Sequence, residues 1–164
     1  MTKKLIILDF HNYLYRAFHG VQGLKTPEGV PSNAAFGVTK MISTIFSDFK
    51  PDYFVIVEEG GGVSKRKEMY AEYKATRSSM PEDLRVQIPM LKQIISLLDI
   101  PIISVPNIEA DDVLASLAIQ APFDQVLIAS SDKDLMAVVS DKIKILDTMK
   151  NKIYDRNAVI EKFG

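Results

Sequence analysis

Eight carboxylates in this chain share a habit: they collect at or just beyond the far ends of short, apolar, β-rich runs. Asp9 closes "KLIILDF", and Glu58 with Glu59 closes "PDYFVIVEE". Glu109, Asp111 and Asp112 of "EADD" follow "IPIISVP", and Asp132 with Asp134 of "SSDKDL" follows "FDQVLIA". Taken singly, each group has an ordinary structural use. Asp9 suits a loop cap, Asp132 and Asp134 suit the start of a helix, and the "EADD" acids suit a helix N-terminus, whose free N–H groups and dipole favour negative charge. A cap needs one acid, and "EADD" supplies three. Four strand ends delivering carboxylate together point to a cation. The chain has no cysteine and only two histidines, His11 and His19. Oxygen donors of this kind select Mg²⁺ or Mn²⁺ over zinc. No EF-hand spacing favours calcium. A cluster this acidic can hold two ions, and paired ions suit in-line displacement at phosphate with water as nucleophile.

A basic stretch points to the same substrate class. In "KRKEMYAEYKATR", residues 65–77, five cations stand against two acids, a net charge of +3. Arg66, Tyr70, Tyr73, Lys74 and Arg77 fall on one face if the stretch is helical. Cations interleaved with aromatics suit phosphate contact and base stacking. The plain alternative is a solvated charged face with its tyrosines packed on the body.

The elements that must carry these residues read as an α/β domain. Buried strands are expected at "KLIILDF", "PDYFVIVEE", "IPIISVP", "FDQVLIA" and "KIKILDT", with a short sixth at "KIYD". Helices are expected from "NYLYRAFHG", from Ser32 to Phe49 with Ser32 or Asn33 as cap, and over "PEDLRVQIPMLKQIISLLD" with a bend at Pro89. Further helices should follow "EADD" and "SSDKDL", and another should begin at "RNAVIEKFG". Strands alternating with helices imply a mostly parallel sheet, whose functional groups gather beyond the strand carboxyl ends. The Gly-initiated basic stretch, about residues 60–82, reads as an insertion over the surface.

Bulk properties narrow the classes. The 164 residues suit one domain, with 47% hydrophobic and 25% charged residues. Net charge is −1, so contact with nucleic acid must come from a local patch. The opening apolar run is too short for a signal peptide or membrane span, so a cytoplasmic setting is expected.

Together these residues resemble the 5′-nuclease family: the 5′→3′ exonuclease domain of bacterial DNA polymerase I, phage exonucleases and flap endonucleases. "EADDVLASLA" is similar to the family's central acidic motif, "SSDKDLMAVV" to its Asp-Lys-Asp motif and "LDFHNYLYRAFHG" to its first motif. "MYAEYKATRSSMPEDLRVQI" resembles the segment that threads or clamps single-stranded 5′ ends. The resemblance runs in order from about Leu5 to Gly164. It implies a PIN-like, three-layer α/β fold with a basic arch or clamp, and metal-dependent phosphodiester hydrolysis at 5′ ends or branched DNA. By position, Asp9, Glu59, Glu109, Asp111, Asp112, Asp132 and Asp134 would be metal ligands, directly or through water. Asp111 and Asp132 would be essential to catalysis, and Lys74 would contact the scissile phosphate. Arg77 and Tyr73 would flank it, and Arg16 resembles a phosphate-contacting arginine. His19 also matches a family position, with no chemistry assigned to it.

This chain departs from the family pattern in several places. Glu59 stands where the family has Asp, and Glu58 where it has an apolar residue. Phe10 and His11 replace small residues, and Ser131 replaces Gly. The family continues past "EKFG" into a helix-hairpin module that grips duplex DNA and supplies aspartates to the second metal. The second site is therefore expected to be incomplete here. The chain is then either a fragment or a short form, with a second polypeptide as one source of the missing module. Two other readings stand beside the nuclease: a PIN-type ribonuclease, and a degenerate nuclease kept for binding nucleic acid or a partner.

Overall fold

The computed structural model describes residues 2–62 and 79–163. Arg66, Tyr70, Tyr73, Lys74 and Arg77, with residues 63–78 of the expected basic arch, lie outside the described residues.

The strands are β1 (Lys4–Asp9), β2 (Tyr53–Val57), β3 (Ile102–Ile103), β4 (Gln125–Ala129), β5 (Ile143–Asp147) and β6 (Lys152–Tyr154). They form one sheet in the order β3-β2-β1-β4-β5-β6. All pairings are parallel except the last, β5 with β6. The chain winds outward from β1 to β2 and β3, then returns to β4 on the other flank of β1. The crevice between the ends of β1 and β4 is therefore the switch point where such sheets place their sites.

Successive strand residues serve opposite faces, and both faces are covered, so the strands read as unbroken apolar runs. Ile6, Leu8, Phe54, Ile56, Leu127 and Ala129 join one core with α1 (Phe10–Gly20), α2 (Asn33–Phe49), α3 (Glu82–Arg85) and α4 (Ile88–Leu97). Leu5, Ile7, Val55, Val57, Val126 and Ile128 join a second core with α5 (Ala110–Gln120) and the 3₁₀ helix Asp134–Val138. Helix–sheet–helix is the three-layer α/β arrangement that the family resemblance implied. Helices α1 and α2 meet closely, and a Cβ on Gly37 would lie 2.8 Å from Ala17 Cβ. The last helix, α6 (Arg156–Phe163), starts where Asp155 Oδ1 accepts from Ala158 N at 2.9 Å.

Three local expectations are corrected. The third strand shrinks to two residues at the sheet edge. The helix expected with a bend at Pro89 is two helices broken at Val86 and Gln87, with Pro89 in the first turn of the second. Pro89 has no N–H to offer the Arg85 carbonyl, so the first helix ends there, and Gln87 is fully buried at the break. Its Oε1 accepts from Ala34 N and Ala35 N at 2.8 and 3.2 Å, and its Nε2 donates to Asn33 Oδ1 at 2.9 Å. Gln87, rather than the side chain of Ser32, thus satisfies the free amides that open α2. Finally, "SSDKDLMAVV" forms the five-residue 3₁₀ helix rather than an α-helix.

Candidate metal and phosphate site

Asp9 ends β1 and opens α1. Its Oδ1 accepts from Asn12 N at 3.2 Å as the helix cap, and its Oδ2 accepts from Ser130 Oγ at 2.8 Å. Parallel pairing of Leu8 with Ala129 puts Asp9 beside Ser130 across the switch point. Ser130 is fully buried, and its Oγ in turn accepts from Asp132 N at 3.1 Å. Asp132 Oδ1 accepts from Asp134 N at 2.9 Å, which turns the chain into the 3₁₀ helix. One hydroxyl therefore ties the first acidic motif to the last.

Asp9 is only 6% exposed. Burial pushes its carboxyl above the ordinary value. The Asn12 amide, the Ser130 hydroxyl and the His11 charge pull it down, while the Asp132 charge adds to the rise. A buried carboxylate facing a second carboxylate is an arrangement that a nearby cation relieves.

On the other flank, "EADD" opens α5, with Asp111 and Asp112 in its first turn and Glu109 buried at its N-cap. The free amides and dipole of this helix end account for its tolerance of three acids. Glu59 reaches the same helix end, where its Oε2 accepts from Ala110 N at 3.1 Å. Glu58 pairs with Lys92 on α4 at 2.7 Å. His11 stands between the flanks, with its Nδ1 accepting from Glu59 N at 3.5 Å. Burial holds His11 below the ordinary histidine value, opposed by the charges of Asp9, Glu59 and Glu58 and reinforced by Lys92.

Arg16, one turn beyond Asn12 on α1, donates to Asn12 Oδ1 at 3.4 Å and to Asp147 Oδ1 at 2.7 Å. It borders an open cavity of about 270 Å³ that Lys40, Met41, Thr148 and Met149 also line. The Asn12 side chain also binds Ser131, donating from Nδ2 to Oγ at 2.9 Å and accepting from Ser131 N at 3.2 Å.

Asp9 and Asp132 are thus linked through Ser130 at this edge, Glu59 reaches the start of α5, and Glu58 is paired with Lys92. Among the described residues, no three or more His, Asp or Glu side chains already form a cage for an ion. Sequence reasoning missed Ser130, Asn12 and Asp147. The Asn12 and Arg16 spacing of four on a helix was a usable signal. Nothing local marked Ser130 or Asp147, because their partners lie 121 and 131 residues away.

The family model of the 5′-3′ exonuclease N-terminal resolvase-like domain matches residues 4–164. This chain belongs to that family. Two relatives of this 5′-3′ exonuclease domain are a 5′-3′ exonuclease of Aquifex aeolicus and DNA polymerase I of Pseudomonas aeruginosa. The first is 39% identical over 166 residues, covering 99% of this chain and 57% of the relative. The second is 40% identical over 162 residues, covering 98% of this chain and 18% of the relative. The chain thus spans just over half of one relative and under a fifth of the other. Its fold is that of bacteriophage T5 5′-exonuclease with divalent zinc bound, at a TM-score of 0.70 and 21% identity. That match covers 97% of this chain and 60% of the phage protein. No helix among the described residues is long and apolar enough to cross a membrane.

Proposed function

We propose that this domain hydrolyses phosphodiesters of DNA at 5′ ends or branched structures, using Mg²⁺ or Mn²⁺. The observation that carries the reading is the Asp9–Ser130–Asp132 linkage at the switch point, with the "EADD" helix end opposite it. Buried Asp9, repelled by Asp132, fits a hard divalent cation, and the donors are all carboxylate oxygens. Asp9, Glu109, Asp111, Asp112, Asp132 and Asp134 would hold the metal. When bound it would supply a nucleophilic hydroxide from water and offset charge on the scissile phosphate.

The chain's own groups have separable tasks. Ser130 holds the Asp9 and Asp132 segments together, and Asn12 fixes the start of α1 against Ser131. Arg16, anchored by Asp147, presents a planar cation beside the acidic edge, where a phosphate oxygen can accept from it. Lys74 is proposed to contact the scissile phosphate. Arg66, Tyr70, Tyr73 and Arg77 are proposed to grip the strand by charge and stacking. Similarity to a 5′-3′ exonuclease and to the first fifth of a DNA polymerase I supports the choice of DNA.

A 5′-labelled single strand offered as DNA, as RNA and as a hybrid tests that choice. Cleavage confined to the DNA arms supports the reading. Preferential cleavage of RNA would assign the site to a ribonuclease, because only RNA carries the 2′-OH as a handle.

A further inference from the structure

We propose that Glu59 is a positioning residue for the "EADD" loop rather than a ligand to the metal. The inference rests on the metal-dependent reading of the site. Although Glu59 is exposed, its Oε2 accepts from Ala110 N at 3.1 Å, at the first residue of α5. Asp111 and Asp112 follow immediately, so whatever fixes the Ala110 amide fixes the helix turn that carries them.

The loop that carries Glu59 is joined to the acidic loop along its length. Glu58 N donates to Ile103 O at 2.9 Å, and Asn107 N donates to Gly61 O at 3.0 Å. Between them Gly60 lies so close to the other loop that a Cβ there would fall 1.8 Å from Val105 O. Only glycine permits that approach. His11 anchors the same loop from α1 by accepting from Glu59 N. Glu58 is committed to Lys92. The run "EEGGG" is therefore a brace: the glycines bring the two loops together, and the Glu59 carboxylate caps the helix it reaches.

A glutamine at this position keeps the acceptor oxygen and loses the charge, which separates the two roles. In the metal-free protein, exchange of the Ala110 amide should quicken roughly fivefold in Glu59→Ala and stay at the wild-type rate in Glu59→Gln. In a Mn²⁺ titration, Glu59→Gln should keep affinity within about twofold, whereas Glu59→Ala should lose about tenfold through the displaced Asp111 and Asp112. Equal losses of affinity in both variants would overturn the proposal and make Glu59 a ligand. An Ala110 amide indifferent to Glu59→Ala would overturn it as well. Because exchange is read without metal or DNA, failure of the wild-type protein to cleave DNA would count against the nuclease reading alone.

Discussion

Asp147, at the end of β5, holds Arg16 of α1 with Oδ1 2.7 Å from Nη2, and both side chains are largely buried, at 6% and 13% exposure. Asp147 Oδ1 also accepts from Met149 N at 3.1 Å and Lys150 N at 3.3 Å. Three donors thus converge on Oδ1, with Lys150 Nζ 4.0 Å from Oδ2, and the guanidinium is held beside the acidic edge. Removing one member of such a pair leaves the other charge buried and uncompensated.

Asp147→Asn should therefore lower stability by about 3 kcal/mol at neutral pH, read by urea denaturation. Burial alone would raise the Asp147 carboxyl, but the Arg16 hydrogen bond and charge, with the Lys150 and Met149 amides, outweigh it and hold it below 3.8. A depressed carboxyl contributes stability above its unfolded pKa and loses it as pH falls through the folded one. The gap between wild type and variant should stay constant above about pH 5 and close below about pH 4. A gap that persisted in acid would mean that packing, not charge, holds Arg16.

Ser130→Ala removes both the donor to Asp9 and the acceptor for the Asp132 amide. With Ser130 fully buried, the expected cost is about 1–3 kcal/mol. Because the two acidic motifs then lose their common tether, metal affinity should also fall by about tenfold. A Mn²⁺ titration beside the urea curve checks both effects.

Asp111→Asn should abolish cleavage while leaving the circular dichroism spectrum and melting temperature near wild type, since Asp111 is only partly buried on the first turn of α5. Lys74→Ala should slow the single-turnover step and leave DNA affinity nearly unchanged. Retained cleavage in Asp111→Asn would remove it from the site.

DNA binding should weaken steeply with salt, because the domain carries a net charge of −1 and must engage phosphates through a local cationic patch. The logarithm of affinity should fall linearly with that of salt, and Arg66→Ala should flatten the slope by about one unit if Arg66 neutralises one phosphate. An unchanged slope would place Arg66 off the DNA path.

Much of the frame was legible in the sequence because the sheet is covered on both faces. Runs such as "KLIILD" and "QVLIA" are then continuous, and an acid at or just beyond the end of each marks the strand's carboxyl edge. Their convergence on one edge followed from parallel order alone. What escaped was whatever depends on a distant partner. The helix expected to bend at Pro89 is two helices, and the Gln87 amide between them is committed to α2, a partner more than fifty residues away. Ser130 carried no signal of its own, and only β1–β4 pairing puts Asp9 beside it. Glu59 read as one more acid of the cluster, and only the approach of the two loops gave it a helix to cap. The helix expected after "SSDKDL" is a short 3₁₀ helix, entered through the bond from the Asp134 amide to the Asp132 carboxylate.

The central claim is tested most directly by cleavage of a 5′-labelled DNA flap, with its single-stranded control, in Mg²⁺, in Mn²⁺ and in EDTA. Asp132→Asn, verified as folded, runs alongside. The account predicts cleavage that requires the divalent ion and disappears in Asp132→Asn. Cleavage that survives EDTA or the substitution would contradict the carboxylate site, and a folded wild-type protein inert in both metals would contradict a working nuclease domain.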